Sequence, residues 1–317
     1  MEQYIIDHFH KTIGTFKDGK SPPIFPGPQP VSIERKHFEI LKNEPYVVCE
    51  KTDGVRHALV CTTFNGTPVA AFLNRALHVQ PIKINIPTIH YNGTVLDGEL
   101  VDGNLFMIYD AMQVHGEILM KKNLLERLEF ASKFVRKVKN DSIKIKLKKF
   151  FVKDDIEELV NKHIPQLSYK TDGLVFTPVK DEVRIGTHET MFKWKPCNKN
   201  TIDFKVKKSP TVETPGCVPG PPVWRLYIQE RGKLIHESQI PLDRMSDYKW
   251  IRENDIVECM YVTWENGPLW WKPLKKRSDK TFPNSRRTFY RTLVNIKENI
   301  QMKEFLDCRP GCNDYLH

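Results

Sequence analysis

Apolar and polar positions in the first third of this chain follow the short period that is typical of β-strands. The run Tyr46-Val47-Val48-Cys49 is rich in β-branched and aromatic residues and predicts a buried strand, which ends at Gly54. Arg56–Thr62 and Pro68–Leu73 predict two further strands joined at an Asn65-Gly66 hairpin turn. Thr94–Val101 and Asn104–Ala111 predict a second hairpin. Antiparallel sheets should therefore dominate this region.

Helical spacing occurs in fewer places. Asn123–Lys139 carries apolar residues at a 3.6-residue period and predicts a helix that packs on the core. Ser32–Asn43 and Asp154–His163 predict shorter helices, and Arg286–Ile300 predicts a closing helix. Residues 21–30 contain five prolines, which predict an extended arm rather than a helix or an inner strand.

In the last third of the chain, the apolar and polar positions follow a different pattern. Its short, evenly spaced strands predict a small all-β barrel of the OB type. They are Val223–Gln229, Leu234–Gln239, Asp255–Thr263 and Leu269–Lys272. The tryptophans Trp264, Trp270 and Trp271 either form a nucleic-acid face or fill this barrel. The pattern as a whole predicts an α+β first domain over residues 1–200 and an all-β domain over 201–285, with a helix at about 286–317 packing back on the first domain.

Composition narrows the class of protein. Lys and Arg outnumber Asp and Glu by 49 to 39, so the 317-residue chain carries a net charge of +10, which suits a polyanionic partner. Seven scattered cysteines fit a reducing, intracellular setting without a disulfide framework. The sequence contains no apolar stretch of about 18 residues and no signal peptide at its start, so neither a membrane span nor secretion is expected.

The candidate chemistry is concentrated at Lys51-Thr52-Asp53-Gly54-Val55-Arg56. A lysine at the end of a buried strand is held firmly against a ligand, and Asp53 and Arg56 follow at short fixed distances. This combination suits covalent phosphoryl chemistry, in which the amine attacks, the carboxylate binds sugar or metal, and the guanidinium binds phosphate. Alone, the same pattern also describes a surface lysine before a Thr-Asp-Gly turn.

Six segments in a fixed order add weight to the chemical interpretation. They are Lys51–Gly54, Asp97–Leu100, Tyr109–Ala111, Thr171–Leu174, Phe192–Pro196 and Arg277–Lys280. They resemble the ordered motifs of the covalent nucleotidyltransferase superfamily, which contains mRNA capping guanylyltransferases and ATP-dependent DNA and RNA ligases. The resemblance is strongest to the capping guanylyltransferases of large DNA viruses, and the segments Phe25–Pro28, Pro30–Lys36 and Thr201–Phe204 are also similar to them.

The resemblance implies a role for each matching position. Lys51 is the nucleophile, although Lys170-Thr171-Asp172-Gly173 repeats its tetrapeptide, because Lys170 lacks an arginine at the spacing of Arg56. The other implied catalytic residues are Arg56, Lys193, Lys195, Arg277, Asp279 and Lys280, the last three closing over the triphosphate. The implied nucleotide-binding residues are Thr52, Asp53, Arg75, Glu99, Tyr109, Lys148 and Asp172. Tyr109 would stack on the base, Lys148 would read the guanine oxygen, and Glu99 and Asp172 would hold Mg²⁺ or Mn²⁺.

The implied reaction is mRNA guanylyl transfer. GTP would charge Lys51 to a lysyl-N-GMP adduct, and the GMP would pass to the 5′-diphosphate end of RNA to form a GpppN cap. One alternative is a polynucleotide ligase that charges Lys51 with AMP, and another is a catalytically dead RNA-binding relative. We expect a monomer in the nucleus or cytoplasm of a virus-infected cell. An RNA triphosphatase and a cap methyltransferase would be separate proteins.

Overall fold

The structure is a computed structural model that describes residues 1–139, 143–210, 220–264, 267–278 and 280–308. The chain divides into two compact units. The first contains Met1–Trp194 and the segment from Lys303 onward, and the second contains Lys195–Met302. The boundary expected near residue 200 therefore lies six residues earlier, and the chain returns to the first unit near its end.

In the described part of the first unit, strands outnumber helices. They are β1 (Gln29–Ser32), β2 (Tyr46–Thr52), β3 (Val55–Phe64), β4 (Thr67–Asn74), β5 (Val79–Ile82), β6 (Thr94–Val101), β7 (Leu105–Val114), β8 (Glu117–Ile118), β9 (Lys144–Leu147), β10 (Phe151–Val152), β11 (Thr171–Pro178) and β12 (Thr187–Trp194). One sheet has the order β1-β12-β11-β2-β10, and the other has the order β5-β4-β3-β6-β7-β8 with β9 beside β7. All pairs are antiparallel except β1 with β12 and β7 with β9.

Four helices of this unit are α1 (Glu2–Thr12), α2 (Phe38–Asn43), α3 (Leu124–Val135) and the short α4 (Ile156–Glu158). Helix α3 begins with a capping box, in which Asn123 accepts from the Glu126 N–H and the Glu126 carboxylate accepts from the Asn123 N–H. The predicted helix from Ser32 is wrong at its start, because Ser32 still belongs to β1 and a 3-10 turn capped by Glu34 precedes α2.

The second sheet is buried on both of its faces. Phe134 of α3 packs in the core cluster that contains Leu59 and Phe72, whereas Phe9 of α1 packs in the cluster that contains Ala58 and Val60. Neighbouring residues of β3 therefore enter opposite cores, as the two-residue period of a strand requires. This double burial explains why residues 58–61 of β3 form a continuous apolar run rather than alternating with polar residues.

The second unit is an antiparallel sheet with a helix. Its strands are β13 (Thr201–Pro210), β14 (Pro222–Glu230), β15 (Lys233–Gln239), β16 (Ile256–Trp264) and β17 (Gly267–Lys276), in the order β15-β14-β13-β16-β17. Trp271 is only 3% exposed and packs on the Phe204 ring, so it fills the core of this unit. Trp270 packs against the same core, and the side chain of Trp264 lies outside the described residues.

The prediction that the closing helix packs on the first domain is wrong. Helix α5 (Arg286–Glu298) belongs to the second unit, where Phe289 packs against Phe204 and Trp271. Instead, the segment after α5 rejoins the first unit. There Phe305 is 2% exposed and contacts Phe38, Phe176 and Trp194.

No helix in the described part of the chain is long and apolar enough to cross a membrane.

Candidate active site

The lysine motif lies where the chain passes from one sheet of the first unit to the other. Strand β2 ends at Thr52, and β3 begins at Val55, so Asp53 and Gly54 form the crossing. A Cβ on Gly54 would lie 2.7 Å from the Leu100 carbonyl oxygen and 2.8 Å from Glu99 Cγ. Only glycine fits this close approach, which explains the Gly of the motif.

Lys51 is paired with Asp172 across two neighbouring strands. Lys51 Nζ donates a hydrogen bond of 2.9 Å to Asp172 Oδ1. Gly173 of β11 lies opposite Lys51, and the register shifts between Thr171 and Gly173, so Asp172 occupies an irregularity in the strand. Such bulges re-aim a side chain, and here the bulge accompanies a carboxylate beside the candidate nucleophile.

Lys193 lies on the same face of this sheet as Lys51. It pairs with Val175 of β11, and Val175 pairs with Cys49 of β2. Directly opposite residues of antiparallel strands share a face, and Lys51 is on the same face as Cys49 because the two are two residues apart. Phe192 and Trp194 alternate with it and are buried, as predicted. Lys195 follows β12 directly and begins the second unit.

Arg56 belongs to a triad on the second sheet in which Asp97 is buried and Arg56 and Tyr109 are partly buried. Its Nε donates to Asp97 Oδ1 at 3.0 Å, and its Nη2 pairs with Asp97 Oδ2. The Tyr109 hydroxyl donates to the same Asp97 Oδ1 at 2.9 Å, and Arg56 Nη1 donates to the Pro28 carbonyl oxygen at 2.6 Å. The guanidinium is thus oriented by Asp97, next to the ring of Tyr109.

Glu99 is the carboxylate whose titration is most changed in this region. Burial raises its pKa to about 7, although Lys51, Lys148 and Arg56 each favour the ionised form. A carboxyl group with this pKa changes charge near neutral pH, which is common at functional sites. Glu99 lies opposite Arg56 in the β3·β6 pair, so the structure brings it to the second sheet's side of the crossing.

The remaining predicted nucleotide contacts differ in exposure. Arg75 is exposed in the turn between β4 and β5, yet desolvation and then the charge of Arg56 lower its pKa. Thr52 is buried, and its hydroxyl lies 3.4 Å from Glu50 Oε1. Asp53 is exposed, and its N–H donates to the Lys170 carbonyl oxygen. Lys148 is buried, with its Nζ 5.9 Å from the centre of the Tyr109 ring.

The basic residues of the last motif have a partner within the second unit. Arg277 Nη1 lies 3.1 Å from Asp203 Oδ1, and Lys280 Nζ pairs with Asp203 Oδ2. Glu258 lies 3.6 Å from the same guanidinium nitrogen. Asp279 lies outside the described residues.

A divalent cation fits the residues predicted to hold it. Mg²⁺ typically binds one or two carboxylates and completes its shell with water and substrate phosphates. Asp172 contacts Lys51, and Glu99 interacts electrostatically with the same amine, so both carboxylates lie near it. Within the described part of the chain, no group of three or more His, Cys, Asp or Glu side chains forms a metal cage.

Three acidic residues of these networks were not predicted as site residues. Asp97 orients Arg56, Asp203 holds Arg277 and Lys280, and Glu50 contacts Lys148. Asp97 and Glu50 do show a signal, because each is a charged residue that directly follows an apolar run within its strand. Their partners lie far away in sequence, so only the fold reveals them.

Lys51 is half-buried between antiparallel sheets, with carboxylates, cations and an aromatic ring around it. This combination defines a nucleotidyltransferase type of site. The profile of the mRNA capping enzyme catalytic domain matches residues 3–197, and that of the mRNA capping enzyme C-terminal domain matches residues 199–306. The chain therefore belongs to the mRNA capping enzyme family.

Individual relatives agree with this assignment. The mRNA-capping enzyme subunit alpha of Schizosaccharomyces pombe is 28% identical over 92% of this chain and 81% of its own length. The chain spans a smaller part of other relatives. It covers 55% of the Neurospora crassa mRNA-capping enzyme subunit alpha, which is 30% identical over 60% of this chain. It covers 50% of the Danio rerio mRNA-capping enzyme, which is 26% identical over 91% of this chain.

Two solved ligase structures are also similar over most of the chain. The ligase domain of M. tuberculosis LigD covers 81% of this chain and 96% of its own, at 12% identity and a TM-score of 0.36. The ATP-dependent DNA ligase of bacteriophage T7 covers 79% and 98%, at 13% identity and a TM-score of 0.37.

Proposed function

We propose that this protein is an mRNA guanylyltransferase that carries GMP on Lys51. The observation that carries the proposal is the pairing of Lys51 Nζ with Asp172 Oδ1 at 2.9 Å, in a chain of the capping enzyme family. Lys51 lies on the face shared by β2, β11 and β12, where the Asp172 carboxylate holds its amine. Its sequence repeat, Lys170, is exposed at the end of a loop.

In the first half-reaction, the Lys51 amine attacks the α-phosphorus of GTP. The new N–P bond forms as the bond to pyrophosphate breaks, and the amine gives up its proton. Lys193, on the same sheet face, neutralises charge that develops on the α-phosphate. Lys195 has the same proposed role.

In the second half-reaction, a terminal oxygen of the RNA 5′-diphosphate attacks the adduct. The N–P bond breaks, the Lys51 amine is regenerated, and the RNA end carries a GpppN cap. A surplus of 10 positive charges favours approach of the RNA backbone.

The remaining residues hold the nucleotide. Tyr109 presents its ring to the guanine, and Arg56, oriented by Asp97, faces the sugar and phosphate. Arg75 adds a second guanidinium near this triad. Glu99 and Asp172 would hold Mg²⁺ or Mn²⁺, which would neutralise phosphate charge when bound. Asp53, exposed at the crossing, would contact the ribose.

Four finer parts of the proposal rest on the sequence alone. They are a viral source, an OB barrel for the second unit, action as a monomer, and reliance on a separate RNA triphosphatase and cap methyltransferase. The relatives with similar sequences named above come from fungi and a fish, so they support the family rather than a viral source.

A labelling experiment tests the proposed reaction. Incubation with α-labelled GTP and a divalent cation should give an acid-labile covalent adduct, and ATP should not. Lys51→Ala should abolish the adduct, whereas Lys170→Ala, the matched control from the repeated tetrapeptide, should retain it. Labelling by ATP alone would support the ligase alternative, and labelling of the Lys51→Ala variant would contradict the assigned nucleophile.

A further inference from the structure

Glu50 directly precedes the proposed nucleophile, and its side chain is fully buried. Strand alternation directs it to the face opposite Lys51. Its Oε1 accepts a hydrogen bond of 2.9 Å from the Tyr169 hydroxyl and lies 3.4 Å from the Thr52 hydroxyl. Its Oε2 is buried and accepts no hydrogen bond from the described residues, and His163 Nε2 lies 4.0 Å away. A buried carboxylate of this kind requires a nearby cation.

Lys148 supplies that cation. Its Nζ lies 3.5 Å from Glu50 Oε1 and donates a hydrogen bond of 2.8 Å to the Glu50 backbone oxygen. Both side chains are almost completely buried, at 4% and 0% exposure. Two contacts with one residue thus fix the ammonium at the end of β2, one residue before Lys51.

The same ammonium lies beside the aromatic ring proposed to stack on the base. Lys148 Nζ is 5.9 Å from the centre of the Tyr109 ring. An ammonium has three N–H donors, and the two contacts with Glu50 use at most two of them. Among the described residues, one donor is therefore left for a ligand on the Tyr109 ring.

We propose that Glu50 is a positioning residue for base selection, which holds the Lys148 ammonium where it donates to the 6-keto oxygen of a purine. This inference rests on the proposed function, because it assumes that a purine stacks on Tyr109. A cation with only donors accepts no hydrogen bond from the 6-amino group of adenine, so the pair favours guanine over adenine. Without the Glu50 carboxylate, the buried ammonium would lose the counterion that contacts it and would leave this position.

The test compares two nucleotides of which only one has the 6-keto oxygen and the accompanying N1 proton, and the Lys148 and Glu50 variants assign the difference to the oxygen. Equilibrium binding of GTP and of 2-aminopurine riboside triphosphate is measured by calorimetry on the full chain without a divalent cation, so that no adduct forms. A charge-assisted hydrogen bond corresponds to a preference for GTP of about tenfold to a hundredfold in the wild-type protein. Glu50→Gln keeps the shape of the side chain but removes its charge, and it should reduce the preference to about threefold or less. If Glu50→Gln does not fold, Glu50→Asp replaces it in the test. This variant keeps the charge on a shorter side chain and should retain part of the preference for GTP.

Two further variants separate positioning from general stability. Tyr169→Phe removes a hydrogen bond to the same Glu50 oxygen but leaves the contact with Lys148, so the GTP preference should be unchanged. Lys148→Met should lose the preference, and adding Glu50→Gln to it should cause no further loss, because both changes remove one interaction.

Three results would overturn the proposal. The first is a Glu50→Gln variant that binds both nucleotides more weakly by the same factor, which would indicate a structural role only. The second is a wild-type protein without preference between the two nucleotides. The third is an additive loss in the double variant. Because binding is measured without catalysis, failure of the wild-type protein to form an adduct would contradict the proposed function and leave this test unaffected.

Discussion

Lys51 Nζ lies 2.9 Å from Asp172 Oδ1, and the two residues come from adjacent antiparallel strands of one sheet. The pair joins a residue at the end of β2 to one that is 121 positions later in the chain. The hydrogen bond orients the amine. In the proposed reaction, attack on the α-phosphorus requires that the amine exchange this carboxylate for the phosphate.

Replacement of Asp172 tests this relationship. Asp172→Asn removes a charge from the proposed cation site and weakens the orientation of the amine, so adduct formation should fall by about a hundredfold or more. Half-maximal adduct formation should also require a higher concentration of Mg²⁺ or Mn²⁺. Initial rates of GMP labelling at a series of metal concentrations measure both effects. Asp154→Asn, at an exposed acid, is the control, and equal rates for Asp172→Asn and wild type would exclude the role.

The raised pKa of Glu99 predicts a pH effect on stability. Its pKa is about 7 in the folded protein and near 4.5 in the unfolded chain, so the folded state binds more protons between these values. The contribution of Glu99 to stability is therefore greatest below about pH 4.5 and is lost as the pH rises through about 7. Glu99→Gln removes this titration.

Thermal denaturation at several pH values measures the effect. The melting temperature of Glu99→Gln relative to wild type should increase from about pH 4.5 to about pH 7 and level off above. Glu129→Gln is the control, because Lys133 lowers the pKa of Glu129 and the pH effect has the opposite sign. A constant difference between Glu99→Gln and wild type across this range would contradict the assignment.

The buried pair of Arg127 and Asp110 should stabilise the strand that carries Tyr109. Arg127 Nε and Nη2 donate to the two Asp110 oxygens at 2.7 and 3.0 Å, and both side chains are buried. Arg127→Met leaves the carboxylate without its partner, so the free energy of unfolding of the first unit should fall by about 3–5 kcal/mol. Urea denaturation measures this loss. Lys133→Ala removes an exposed pair with Glu129 on the same helix and should leave the free energy of unfolding almost unchanged.

Asp203 should be needed for the action of the last motif. It holds Arg277 and Lys280, the two cations of the motif that the family resemblance places over the triphosphate. Asp203→Asn leaves these side chains less ordered, so half-maximal adduct formation should require about tenfold more GTP. Titration of labelling with GTP measures the change. Glu230→Gln, whose carboxylate pairs with the exposed Arg286 of the same unit, is the control; an equal GTP requirement in Asp203→Asn would exclude the role.

Local patterns were sufficient to predict much of the fold. The apolar run at Tyr46–Cys49, the Asn65-Gly66 turn and the period of Leu124–Val135 correspond to β2, the β3·β4 hairpin and α3. These elements are specified by neighbouring residues, which the sequence shows directly. Helix α1 was not predicted, and the packing partner of α5 was predicted wrongly, because their partners are distant in sequence.

The sequence by itself determined the family and the types of side chain that could do the chemistry, because ordered short motifs need only local order. The tertiary structure alone decided which of those side chains meet. It pairs Lys51 with Asp172, Arg56 with Asp97, Arg277 with Asp203 and Lys148 with Glu50. Each pair joins residues at least 41 positions apart, and such contacts depend on strand register and sheet packing, which no local pattern encodes.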